Sequence, residues 1–130
     1  MITGIGIDAV YIERMERWFA NPKLLGRYFH PDELKIIVSR GRSAVFSLAA
    51  RFAAKEAFGK ALGTGLSNIT LKDIMVINGN NGKPEIIFFA TAQAAFEKSG
   101  ANAAHISLTH ERDYAIAIVV LERTLENGFG

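Results

Sequence analysis

Two carboxylates in this 130-residue sequence stand where charge is not expected. Glu56 falls in the stretch from Ala44 to Leu62, whose other strongly polar residues are Ser47, Arg51, Lys55 and Lys60. A helix turns about 100° per residue. With Phe52 as zero, Val45 and Gly63 lie at about 20°, Glu56 at about 40°, Ala49 at about 60° and Lys60 at about 80° on that spacing. Glu56 therefore sits within the apolar arc, whereas Ser47, Arg51 and Lys55 form an i, i+4 stripe expected to face water. Asp8 raises the same question, since it ends a short, branched, glycine-punctuated apolar segment. A buried carboxylate must be paired, protonated or bound to a cation. Plainer readings also stand. Glu56 and Lys60 form an i, i+4 pair worth a few tenths of a kcal/mol on a helix surface, and Asp8 could accept from the turn that follows it. If the two carboxylates converge, they suit a hard cation such as Mg²⁺, which takes one or two carboxylates, waters and phosphate oxygens.

A second constellation is the alternating run Ala104-His-Ile-Ser-Leu-Thr-His110. On a strand, Ile106 and Leu108 share one face while His105, Ser107 and Thr109 share the other. Three hydrogen-bonding side chains in a row fit a phosphate or nucleotide, and equally an ordinary solvent face. His110 falls at the turn, open to a role as base or phosphate donor. Other motifs fail. Gly4-Ile-Gly6-Ile-Asp8-Ala9 fits G-x-G-x-x-A in letters, but too short a strand precedes it and no acidic ribose reader follows. Gly59-Lys60 lacks the rest of a phosphate-binding loop, His110-Glu111 lacks the second histidine of a zinc-protease helix, and no nucleophile elbow is present.

The elements that must position these residues can be read in order. Residues 2–10 predict a strand ending at Asp8. Tyr11 to Ala20, with Ile12, Met15 and Trp18 on one side, predicts a short amphipathic helix broken by Asn21-Pro22. Pro31-Asp-Glu opens a second helix over 31–39. Ser43 is placed to cap a third, which runs to Leu62 and stops at Gly63-Thr64-Gly65. Strands at 73–77 and 85–89 flank the turn Asn78-Gly-Asn-Asn-Gly-Lys-Pro84, a helix covers 91–99, and 104–110 with 114–121 make a closing hairpin across His-Glu-Arg-Asp. Helices cluster early and hairpins late, which predicts an α+β fold with a mostly antiparallel sheet packed on a long central helix. Residues 1–130 read as a single domain with a loose tail from about residue 124.

Composition narrows the chemistry. The absence of cysteine excludes disulfides, thiolate-held metals and thiol nucleophiles, and suits a reducing cytoplasm. No basic segment precedes an apolar run at the amino terminus, so no export signal is expected, and Asn68-Ile-Thr70 is read as a chance sequon. The longest apolar run, Tyr114 to Leu121, is too short to span a bilayer, so no membrane partner is expected. The net charge of +2 is uneven. Residues 11–60 hold ten Lys or Arg against five Asp or Glu, and residues 61–130 hold five against seven, so an anionic partner belongs with the first half. Nucleic acid is not expected, for want of an arginine-rich run or a base-stacking pattern. An acidic protein or a polyphosphate remains.

Gly6-Ile-Asp8 with Val10 and Arg14, Phe29 followed by Glu33-Leu34, Arg51-Phe-Ala-Ala-Lys-Glu-Ala57, Gly63-Thr64-Gly65, Asn81-Gly-Lys-Pro84 and His105-Ile-Ser-Leu-Thr-His110 occur in this order. The set, spanning about residues 4–121, resembles the short bacterial 4'-phosphopantetheinyl transferases, the holo-acyl-carrier-protein synthases. The resemblance implies transfer of the 4'-phosphopantetheine arm of coenzyme A to a serine of an acyl carrier protein, with release of adenosine 3',5'-bisphosphate. It implies Mg²⁺ on Asp8 and Glu56, a homotrimer with active sites between subunits, and a first helix that docks the acidic carrier through Arg14 and Arg17. Lys60 would face the pyrophosphate and Gly63-Thr64-Gly65 would approach the ligand by backbone. His105, Ser107 and Thr109 would line the nucleotide, with Arg51 on the 3'-phosphate. The serine proton would pass to Glu56 through a metal-held water or to His110. Glu111 stands where several relatives carry Asp, which weakens a His–acid pair. The rival reading is a non-catalytic basic module that binds nucleotides or an acidic protein.

Overall fold

A computed structural model describes residues 1–125 of the chain. Its axis is a helix over Ala44–Leu62, rich in alanine and buried for most of its length. Gly63, at φ +82°, ends that helix in the left-handed conformation that side chains avoid. Before it come a strand β1 (Ile2–Tyr11) and three helices, α1 (Ile12–Phe19), α2 (Pro22–Tyr28) and α3 (Pro31–Ser39), which makes the long helix α4. After it come β2 (Ile74–Asn78), β3 (Pro84–Phe88), α5 (Ala90–Lys98), β4 (Ala103–Glu111) and β5 (Tyr114–Glu122). The strands form two antiparallel sheets rather than one: β1-β5-β4, and the hairpin β2-β3. The α+β expectation holds.

One face of the three-stranded sheet lies on α4. Residues alternate across a strand, so Gly4, Gly6, Asp8 and Val10 share this face with Ala115, Ala117, Val119 and Leu121. Their apolar members join Leu48, Phe52, Ala57, Phe58 and Ala61 of α4 in one core. The approach is close. A Cβ built on Gly4 would stand 1.9 Å from the Ala61 carbonyl oxygen, and one on Gly6 1.9 Å from that of Ala57. The two glycines that mimic a dinucleotide motif are thus a packing device that lets strand and helix meet at backbone distance.

Several boundaries differ from expectation for local reasons. β1 continues three residues past Asp8 to Tyr11, so Asp8 is a ladder residue opposite Ala117 and caps nothing. Asn21-Pro22 ends α1 but also starts α2, because Asn21 Oδ1 accepts the Leu24 N–H and proline suits the first turn. Ser43 makes no capping bond; a 3₁₀ turn, Gly41–Ser43, leads into α4 instead. The closing hairpin turns on Arg112 and Asp113 alone, with both strands running further than the sequence suggests. Thr124 is tied to Asn102 by backbone and hydroxyl bonds, so the loose tail does not begin there; its remainder, 126–130, lies outside the described residues.

The expected solvated stripe of α4 is the largest correction. Arg51 is 4% exposed and Lys55 is fully buried. Arg51 donates to the Val76 carbonyl, Ser47 Oγ and Asn78 Oδ1. Lys55 Nζ donates to Glu33 Oε1 at 2.7 Å and to the carbonyls of Leu71 and Ile74. Glu33, equally buried, also accepts the backbone N–H groups of His30 and Val76. Period alone cannot tell water from a second sheet, and here β2 covers the stripe. No buried side-chain polar atom among the described residues lacks a partner. No helix among them is long and apolar enough to cross a membrane.

Candidate active site

Asp8 and Glu56 belong to the two elements that the glycines of β1 bring together, and Lys60 joins them. Lys60 Nζ lies 2.8 Å from Asp8 Oδ1 and also donates to the Ile7 carbonyl at 3.1 Å. The bond to Asp8 and its charge hold the Lys60 ammonium above its ordinary range. Glu56 is half-buried. Burial first, and then the charge of Asp8, raise the proton affinity of its carboxyl, while Lys60 and Arg14 pull the other way. The site thus sets the Glu56 carboxylate in a half-buried place where it ionises against the charge of Asp8. That is what a hard divalent cation would relieve. Among the described residues no three metal-ligating side chains gather; a cation between Asp8 and Glu56 would draw its remaining ligands from water or substrate oxygens.

The neighbours follow from the fold. Arg14 of α1 lies over the Phe52 ring, 5.6 Å from its centroid, on the approach to Glu56. Arg14 and Arg17 line an open surface cavity of about 390 Å³ with Tyr11 and Trp18. Beyond Lys60, Gly63 and Gly65 take positive φ, and the Gly65 N–H bonds the Gly59 carbonyl, folding the turn against the end of α4. Thr64 of this turn faces a larger groove of about 600 Å³ between the turn and α5.

The remaining predicted residues lie elsewhere in the chain. Arg51 does not stand at the surface as expected, yet it edges a hollow lined by Arg40, Ser43, Phe46, Ser47 and His110. Arg40 and Arg51 both donate to Asn78 Oδ1 at 3.0 Å, so two guanidiniums share one neutral acceptor. Arg40 was not legible as a site residue; a second arginine eleven positions upstream carries no pattern by itself. His110 packs on Phe46, 5.1 Å between ring centroids. Its partner across the ladder is Ala115, which faces Val10, so β5 and a further residue pair separate it from Asp8. At about 4.8 Å per strand and 6.8 Å per residue pair, that is about 12 Å. His105, Ser107 and Thr109 are exposed, but on the opposite face of the sheet from Asp8, beside Ile5 and Ile7. His105 Nε2 meets Glu122 Oε1 at 2.9 Å.

The comparisons agree with this architecture. Residues 4–119 match the family model described as the 4'-phosphopantetheinyl transferase superfamily. A holo-[acyl-carrier-protein] synthase of Treponema denticola is 51% identical over 122 residues, 94% of this chain and 99% of that one. The crystal structure of the holo-[acyl-carrier-protein] synthase of Neisseria meningitidis superposes with a TM-score of 0.85 at 36% identity, covering 95% of this chain and all of that one. The synthase of Bacillus anthracis, in complex with CoA (3',5'-ADP), superposes with a TM-score of 0.79 at 34% identity, over 95% and 99% of the two chains. With the family model matched over residues 4–119 and relatives alike over nearly the full length, the chain belongs to the 4'-phosphopantetheinyl transferase superfamily.

Proposed function

We infer that this chain is a holo-[acyl-carrier-protein] synthase, which moves the 4'-phosphopantetheine arm of coenzyme A onto a serine of an acyl carrier protein. The observation that carries the reading is the meeting of Asp8, Glu56 and Lys60 at the contact of β1 with α4. The serine Oγ attacks the β-phosphorus of the pyrophosphate, forming a phosphodiester; the bond from that phosphorus to the bridging oxygen breaks and adenosine 3',5'-bisphosphate leaves. Mg²⁺ held by Asp8 and Glu56 would neutralise pyrophosphate charge and stabilise the leaving phosphate. Lys60 brings a further cation to that charge. The serine proton would leave toward Glu56 by way of a water, or toward His110. Gly63, Thr64 and Gly65 offer backbone approach, and Arg14 and Arg17 meet the acidic carrier on α1 beside the site. Arg51, with Arg40, suits the 3'-phosphate, since among the described residues neither forms an ion pair with a carboxylate and guanidinium forks match phosphate oxygens.

The site is shared between copies of the chain. His105, Ser107 and Thr109 cannot meet the same nucleotide as Lys60 within one chain, because the sheet lies between them. A neighbouring copy that places its β4 face beside the first copy's Asp8 and Lys60 completes the pocket. Ile5, 61% exposed, and Ile7, 59% exposed, give that open face an apolar strip for the contact. The homotrimer implied by the family pattern fits this division, and His110 as a base would act within it.

Incubation with coenzyme A, Mg²⁺ and an apo carrier protein tests the reading. The carrier should gain the mass of one phosphopantetheine arm, and EDTA should abolish the gain. Carrier binding with no mass gain at any Mg²⁺ concentration would overturn it.

A further inference from the structure

The fully buried Glu33–Lys55 pair has no place in the chemistry above. Neither group reaches solvent; Lys55 uses all three of its donors and Glu33 accepts three bonds, all inside the protein. An ammonium has three donors. Those of Lys55 go to three different segments: Glu33 of α3, Leu71 in the 3₁₀ turn Leu71–Asp73, and Ile74 of β2. Arg51, one turn earlier, repeats the contact on Val76 of β2. Four helical residues rise about 6 Å and two strand residues about 6.6 Å. The two cations therefore dock α4 along β2 in step, Arg51 on Val76 and Lys55 on Ile74, with the chains antiparallel.

This docking fixes both the rotation and the axial position of α4. Glu56 is the next residue after Lys55 and points about 100° further round, toward β1 and Asp8. An apolar residue at 55 would leave Arg51 as the one cation tying α4 to β2, a single point about which the helix can turn by a few degrees. We propose that Glu33 and Lys55 are positioning residues for the transfer site: their ion pair sets the rotation of α4 that keeps the Glu56 carboxylate beside Asp8. The proposal rests on the functional reading above, and it assigns Lys55 and Glu33 a task distinct from that of their neighbour Glu56.

The test compares wild type with Glu33→Gln/Lys55→Met, which removes both charges and keeps side-chain length. Replacing a buried ion pair as a whole is often neutral for folding. Mg²⁺ binding to the protein alone is measured by calorimetry, transfer is measured with varied Mg²⁺, and a crystal structure of the variant is determined. The expected result is a cooperative melt near that of wild type with Mg²⁺ affinity lowered about 10–100-fold, the usual scale for groups that orient metal ligands. The Mg²⁺ concentration for half-maximal transfer should rise by the same factor, with less change in turnover at saturating Mg²⁺. If the double variant does not fold, Glu33→Asp, which keeps both charges and shortens the reach of the pair, should show the same split at a smaller size. A folded variant with wild-type Mg²⁺ affinity, or a structure that keeps Glu56 beside Asp8 unmoved, would overturn the proposal. Lack of transfer by the wild type would instead overturn the functional reading, and the structural arm still judges the positioning role.

Discussion

Helix α4 carries two pairs of charged residues at the same spacing, Arg51 with Lys55 and Glu56 with Lys60, and their surroundings could hardly differ more. The first pair is buried and its hydrogen bonds end on protein atoms in α3, β2, the turn before β2 and α4 itself. The second is part-exposed, and its acid is crowded by the Asp8 carboxylate, with only Lys60 and Arg14 to offset the charge. Charge that is satisfied internally holds a structure together. An acid that ionises only against burial and a neighbouring carboxylate is one a ligand can relieve, which is why perturbed titratable groups in clefts mark candidate active sites. One helix thus carries charge that is bonded within the protein on one side and charge open to a ligand on the other.

Single substitutions should separate these two sides. Lys55→Met alone strands the buried Glu33 carboxylate, and the expected loss is about 3–5 kcal/mol, the scale of breaking a buried pair from one end. Denaturant titration measures it; a loss below about 1 kcal/mol would mean that the pair contributes no more than a surface contact. Glu56→Gln should do the opposite. Turnover should fall at least about a hundredfold, the scale of losing one preorganised charge contact, while the fold persists. Near-normal Mg²⁺-dependent rates in that variant would place the chemistry elsewhere.

Arg14 lies between the two behaviours, on α1 but within the electrostatic reach of Glu56. Arg14→Ala should raise the KM for the carrier several-fold at low ionic strength and less at high salt, because steering by an exposed charge is screened. Stopped-flow association rates would show the difference directly. An unchanged carrier KM at low salt would remove α1 from the docking surface.

The sequence made the part-exposed side of α4 more legible than its buried side. Glu56 stood out because a carboxylate within an apolar arc breaks the pattern, and Asp8 because it interrupts an apolar strand. Arg51 and Lys55 looked ordinary, since a polar stripe at helical spacing has the same letters whether water or β2 lies over it. Gly4 and Gly6 were read against a nucleotide motif, although their true counterparts were Ala57 and Ala61, a small pair at i, i+4 facing them across the interface. That complementarity is written in the sequence but is visible only once strand and helix are known to touch. Helix α2 was hidden because Asn21-Pro22 is both a stop and a start signal. The face assignment of His105, Ser107 and Thr109 followed from alternation alone; that it is turned away from Asp8 depended on strand order, which no local pattern states.

The smallest expected effect bears on the crowded acid itself, in protein stripped of metal. Glu56 binds its proton more tightly in the folded chain than an ordinary glutamate does, because of burial and Asp8. A carboxyl with a raised folded-state pKa adds stability while it stays protonated and loses that contribution as pH rises through the folded value. Wild type in EDTA should therefore lose stability as the pH climbs from about 4, near the ordinary glutamate range, toward neutrality. Glu56→Gln mimics the protonated acid and should not show this fall, so in EDTA it should melt above wild type at pH 8 and level with it near pH 4. Added Mg²⁺ should reverse the order at pH 8, because a ligand that binds only the folded wild type stabilises it by mass action. If the two melts stay parallel from acid to neutral pH, the crowding of Glu56 by Asp8 has no energetic weight, and the contrast between the two stripes of α4 would be one of burial alone.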